Sequence, residues 1–134
     1  MKPKEIFAVD LSKKMLSQIK NKNIIKIHSK IENLTLNKQF SKIFCFGLLE
    51  FCLDASLVLK KISNLSNENT DIYFIIPKKN FFGIIYKFFH YVNGFKIVIR
   101  SKKNINDIFK HNDFKIVETQ DTFLSTFIKI KKNV

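Results

Sequence analysis

The sequence has no tryptophan, one arginine (Arg100), two cysteines, two prolines and three glycines among its 134 residues. Each scarcity excludes something. With a single arginine, the formal net charge of +13 is carried almost wholly by lysine. A nucleic-acid reader is expected to use arginine, whose planar fork grips phosphate and guanine better than lysine does. The lysines also keep company with abundant isoleucine, asparagine and phenylalanine, the set that adenine- and thymine-rich codons encode. The charge therefore does not by itself establish a polyanion ligand, and a basic polyanion-binding module stands only as an alternative.

Cys45 and Cys52 lie seven apart, which is neither a CxxC redox pair nor a metal-ligand spacing. Both sit in an apolar run, where free cysteine behaves as a small buried hydrophobe, and a reducing cytoplasm fits them best. No uninterrupted apolar run reaches the roughly 18 residues of a membrane span. The opening Met1-Lys2-Pro3-Lys4-Glu5 lacks the apolar stretch of a secretion signal. Histidines 28, 90 and 111 are scattered, without carboxylates at ligand spacing. No Ser-His-Asp set, phosphate loop or paired-carboxylate site is visible; Glu50 and Asp54, four apart, read as a strand turn and a helix cap.

What is present is a globular pattern. A hydrophobic content of 46% is enough for a real core and argues against disorder, and 134 residues suit one domain spanning 1–134. Ile6 to Val9 reads as a buried strand ending at Asp10. Ser12 is placed to cap a helix carrying Met15, Leu16 and Ile19 on one face. Ile24, Ile25 and Ile27 form a second strand, and a loop follows from Ser29 to Lys38. Lys42 to Gly47 is a third strand. Asp54 caps a helix bearing Leu57, Val58, Ile62 and Leu65, and Asp71 to Ile76 is a fourth strand closed by Pro77. Phe81 to Val92 is an apolar helix stopped at Asn93-Gly94. A short helix reaches Phe109, and two strands, Asp113 to Glu118 and Phe123 to Lys131, close the chain. Alternating strands and helices predict an α/β domain with a mostly parallel sheet and an antiparallel C-terminal hairpin.

Several segments carry a family resemblance. Ile6-Phe7-Ala8-Val9-Asp10-Leu11-Ser12, followed by Met15-Leu16, resembles the second-strand motif of class I S-adenosylmethionine-dependent methyltransferases. Phe40 to Phe51 is similar to that family's fourth strand and the turn after it. Asp54 with Leu57 to Ile62 matches the following helix, Asp71 to Pro77 the fifth strand, and the closing hairpin the sixth and seventh. The resemblance covers nearly the whole chain in the family's order. It implies a partial Rossmann-like sheet and a methyl transfer from S-adenosylmethionine to a small-molecule acceptor. Asp10 would hold the cofactor ribose with Leu11 beside it, Ile31 and Glu32 would border the adenine, and Phe46 and Gly47 would line the floor. No catalytic residue is assigned.

The departures from the family pattern are as definite. A first strand running into a Gly-rich loop is lacking, and Gly47, Gly83 and Gly94 form no cluster. Lys30 stands where many members carry an adenine-binding aspartate, and Phe40-Ser41 where Phe-Asp often opens the fourth strand. The reading is therefore of an N-terminally truncated domain whose cofactor binding is impaired. In the family the first strand sits between the second and the fourth, so its absence costs both neighbours their ladder partners. A complementing N-terminal peptide, closure of the gap, or an unstable non-catalytic remnant each answers that cost.

His90 lies on the Phe-rich segment and reads either as a helix-surface residue or as a general base. The segment Phe81 to Val92 itself reads as a helix packed on the sheet. The alternatives are a lid for a lipophilic substrate or a peripheral membrane contact, because Lys78, Lys79 and Lys87 flank its apolar face.

Overall fold

The computed structural model describes residues 4–133; Met1–Pro3, part of the segment read for a secretion signal, lie outside them. The chain forms two compact units, one ending at Leu36 and the other beginning at Asn37.

The first unit is a β-α-β turn of chain. β1 (Ile6–Asp10) and β2 (Ile24–His28) pair in parallel, from Ile6 opposite Ile24 to Asp10 opposite His28, so their carboxyl ends are level. Between them runs α1 (Lys13–Gln18), capped by the Ser12 hydroxyl, which accepts from the Met15 amide at 3.2 Å. Leu16 is its buried residue. The expected shared face of Met15, Leu16 and Ile19 is not formed. The helix has only 6 residues, Ile19 has already turned extended (φ −72°, ψ 107°), and Met15 is 53% exposed.

The second unit is a four-stranded sheet in the order β3-β4-β6-β5, built from β3 (Lys42–Phe46), β4 (Asp71–Pro77), β5 (Phe114–Asp121) and β6 (Ser125–Lys132). β3 and β4 are parallel, and β6 is antiparallel to both β4 and β5. Three strands thus share one direction and the last reverses it. A bulge at Val117 shifts the β5–β6 register.

One face of this sheet is the core. α2 (Ala55–Asn64), capped by Asp54, contributes Val58, Leu59 and Ile62, and α4 (Lys102–His111), capped by Ser101, contributes Ile105 and Phe109. They cover Cys45, Ile72, Phe74, Ile128 and Ile130, and the Phe74 and Phe109 rings lie 5.2 Å apart. Each such fully buried side chain is worth about 1.5–3 kcal/mol. Thr70, also buried, donates to the Phe40 carbonyl at 2.6 Å and accepts from the Asn67 amide, fixing the entry to β4.

The opposite face is largely bare. Phe44 and Phe46 remain 60% and 54% exposed, with Phe44 stacked on Tyr73 at 5.0 Å. Parallel pairs such as β3–β4 are ordinarily covered on both faces, which is why β3 reads as a continuous apolar run. Among the described residues β3 pairs only with β4, and its other edge carries no strand.

α3 (Phe81–Val92) departs most from expectation. It was expected to pack on the sheet, yet its only buried residue is Gly83. A side chain at Gly83 would collide with the Lys78 carbonyl oxygen and meet Ile99 Cδ1 at 3.4 Å, so glycine is what allows the helix to seat there. Tyr86 and His90, half-buried, complete the inner side.

Candidate functional site

The carboxyl edge of the β1–β2 pair gathers four of the residues singled out from sequence. Asp10 ends β1, and its Oδ1 accepts the Ser12 amide at 2.7 Å. Part of its role is therefore local, tightening the turn into α1. The Asp10 carbonyl accepts from the Ser29 amide at 3.2 Å, and His28 Nε2 lies 2.8 Å from the Leu11 carbonyl. These contacts tie the loop after β1 to the loop after β2. Ile31 and Glu32 follow in a 3-10 turn (Ile31–Asn33), both half-buried, while Leu11 is 57% exposed. Parallel pairing is the cause: it brings both carboxyl ends, and so the loops after them, to one side.

Phe46 and Gly47 belong to the second unit. Phe46 is the last residue of β3, and Gly47 turns the chain in the left-handed region at φ 60°, where a side chain would be strained. The chain then enters a 3-10 turn (Leu49–Phe51). This turn is held from outside by Arg100, whose guanidinium donates to the carbonyls of Leu49 (2.6 Å) and Cys52 (2.7 Å). The Val98 amide adds a bond to the Glu50 carbonyl at 2.7 Å. The lone arginine of the sequence is thus a clamp on backbone.

The clamped turn buries Glu50 to 5% exposure, and its Oε2 has no hydrogen-bond partner among the described residues. Burial raises its pKa, while its own backbone amide and the charge of Arg100 pull the other way; the net shift is upward. Tyr86 on α3 is also raised, first by burial and then by the charge of Glu50. His90, one turn further along α3, sits among the rings of Tyr86 (4.5 Å), Phe51 (5.3 Å) and Phe95 (6.2 Å). It is half-buried and, among the described residues, is paired with no carboxylate. Glu50, Tyr86 and His90, with Arg100 on the turn itself, gather ionisable side chains beside the β3 carboxyl end. Glu50 escaped the sequence reading because an acid after an apolar strand looks like an ordinary turn residue. Its signal was position: three residues past Gly47, in an otherwise apolar stretch.

The remaining candidates are inert. Cys45 and Cys52 are buried and form no disulfide, and burial, with Cys52 adding to it, pushes the Cys45 thiol to about 12. No cluster of three His, Cys, Asp or Glu able to hold a metal occurs among the described residues. An open depression of about 430 Å³, lined by Gln39, Asn67, Asn69 and Lys132, lies at the amino ends of β3 and β4. That is the wrong edge for the residues above.

Strand order, strand direction and the reversed β6 define the class I S-adenosylmethionine-dependent methyltransferase fold. Solved structures bear this out. An S-adenosylmethionine-dependent methyltransferase from Clostridium acetobutylicum ATCC 824 aligns with a TM-score of 0.73 at 18% identity, over 98% of this chain and 76% of that one. Magnesium protoporphyrin IX methyltransferase from Synechocystis PCC 6803, crystallised with S-adenosylhomocysteine, gives 0.71 at 13% identity over 96% and 64%. The 1,6-didemethyltoxoflavin-N1-methyltransferase of Burkholderia thailandensis gives 0.74 at 13% identity over 97% and 62%. This chain spans less than two thirds of the length of the last two. No protein-family model and no curated protein matches the sequence.

Proposed function

We propose that this chain is a methyltransferase-type domain that engages S-adenosylmethionine weakly on its own and serves a small-molecule methyl acceptor. The observation that carries this reading is an acidic residue, Asp10, at the carboxyl end of a strand in the parallel β1–β2 pair. A carboxylate there suits a vicinal diol, as in dinucleotide folds. Asp10 would accept from the ribose hydroxyls with Leu11 alongside, and Ile31 and Glu32 would border the adenine.

When bound, the cofactor supplies an electrophilic methyl group on sulfur. The chain's own task is positioning, which supplies much of the rate in such transfers. Glu50 is the residue we assign to hold the proton released by an acceptor. Its burial favours the protonated form, and Oε2 has no competing partner among the described residues. The two buried cysteines, which form no disulfide, support a reducing, cytoplasmic setting.

The fit to the cofactor is partial. The residues at the β1–β2 edge provide for ribose and adenine, but no Gly-rich loop offers main-chain groups to the amino-acid portion. The open edge of β3 favours a second reading within the same fold: a partner subunit whose strand is supplied by a complementing peptide hydrogen-bonded along β3. Calorimetric titration with S-adenosylhomocysteine tests the cofactor assignment. Affinity weaker than micromolar is expected, falling by about tenfold in Asp10→Ala, since charge-assisted hydrogen bonds are the stronger kind. Micromolar affinity in the unassisted chain would refute the impairment. Equal affinity in the two proteins would refute the role of Asp10.

A further inference from the structure

α3 is built inside out. At 100° per residue, Gly83, Tyr86 and His90 fall on one side of the helix, and these are its buried and half-buried residues. The opposite side carries Phe81, Ile84, Ile85, Phe88, Phe89 and Val92, exposed by 70%, 65%, 49%, 66%, 63% and 67%. The side turned away from the protein is thus wholly apolar, the reverse of a surface helix on a soluble domain. The β5–β6 turn extends this patch. Its Phe123, 71% exposed, packs on Phe82 at 4.9 Å, and its Leu124, 58% exposed, accepts the Lys78 amide at 3.0 Å. An exposed apolar surface of this extent marks an interaction site.

Charge indicates what covers it. From Lys78 to Lys103 the sequence contains lysines 78, 79, 87, 96, 102 and 103 and no carboxylate at all. Asp121 approaches this rim, at 3.7 Å from Lys78 and 3.5 Å from Lys102, and Glu50 lies buried on the inner side of α3, near Tyr86. No described helix is long and apolar enough to cross a membrane, so the patch suits lying on a bilayer rather than spanning it. An apolar helix face with a cationic surround matches an anionic leaflet, where acyl chains receive the rings and headgroups meet the lysines. We infer that α3 and the β5–β6 turn form a peripheral docking surface for an anionic lipid bilayer. This goes beyond the methyltransferase reading and is independent of cofactor binding.

The test is co-sedimentation of the full chain with vesicles of phosphatidylcholine alone or mixed with phosphatidylglycerol. A second protein carries Ile84→Glu and Phe88→Glu, at positions exposed enough to leave the fold intact, as circular dichroism would verify. The expected result is partitioning onto phosphatidylglycerol vesicles, weaker onto neutral ones, and reduced by about tenfold or more in the double variant. Equal partitioning of the two proteins, or none onto anionic vesicles, would overturn the proposal. So would lipid-free self-association by analytical ultracentrifugation that the same substitutions abolish, since a second copy would then be the occupant.

Discussion

α3 and α4 are helices of similar length in the same unit, with opposite relations to it. α4 turns Ile105 and Phe109 inward, at 2% and 0% exposure, and leaves its polar residues outside. α3 turns in a glycine, a tyrosine and a histidine and leaves its phenylalanines out. The difference shows that apolar content and apolar burial are separate properties. α4's apolar side chains stabilise the fold, whereas most of α3's remain exposed.

Substitution should separate the two helices sharply. Phe109→Ala should destabilise the protein by about 3–5 kcal/mol, the cost of emptying a packed aromatic site. Phe88→Ala, on the outer side of α3, should change stability by less than about 0.5 kcal/mol. Urea denaturation of both variants checks this, and equal losses would erase the distinction. Next in size is Gly83→Ala. In an exposed helix interior that change normally stabilises, but here the new methyl group would meet the Lys78 carbonyl. A loss of about 1–3 kcal/mol is expected, with faster amide exchange along α3 than along α4.

The smallest effect concerns the turn beneath α3. Glu50 has a raised pKa in the folded state, so the folded chain binds that proton more tightly than the unfolded chain does. The stability this contributes is complete below the unfolded value, about 4.3, and is lost as pH rises through the folded value. Glu50→Gln should therefore be more stable than the parent at neutral pH, by about 1 kcal/mol. The gain should shrink as pH falls toward 4. Thermal melts across that range check the sign.

Much of the fold was legible because its signals are local. β-branched runs marked β1, β2 and β4, and Ser12 and Asp54 marked two helix starts by chemistry that the structure repeats. The reversed β6 was readable from two closing strands in succession. Burial was less legible. An all-apolar segment such as Phe81–Val92 gives no phase from which to choose an inner side, and the choice fell to Gly83, whose significance is a close approach invisible in one dimension. The bare face of β3 was hidden for a related reason, since Phe44 and Phe46 look like core until the coverage above them is known. Of the site, the edge position of Asp10, Leu11, Ile31 and Glu32 followed from parallel pairing. Glu50 did not, because the Arg100 clamp that buries its turn comes from fifty residues downstream.

The account depends most on a nucleoside-type cofactor meeting the carboxyl ends of these strands. Two-dimensional amide NMR of the labelled chain, titrated with S-adenosylhomocysteine, reads this directly even when binding is weak. Shifts concentrated at Asp10 to Ser12 and Ile31 to Asn33 are predicted, with the Asn67 to Asn69 loop unmoved. Shifts confined to that loop, or none at the two predicted segments at saturating ligand, would contradict it.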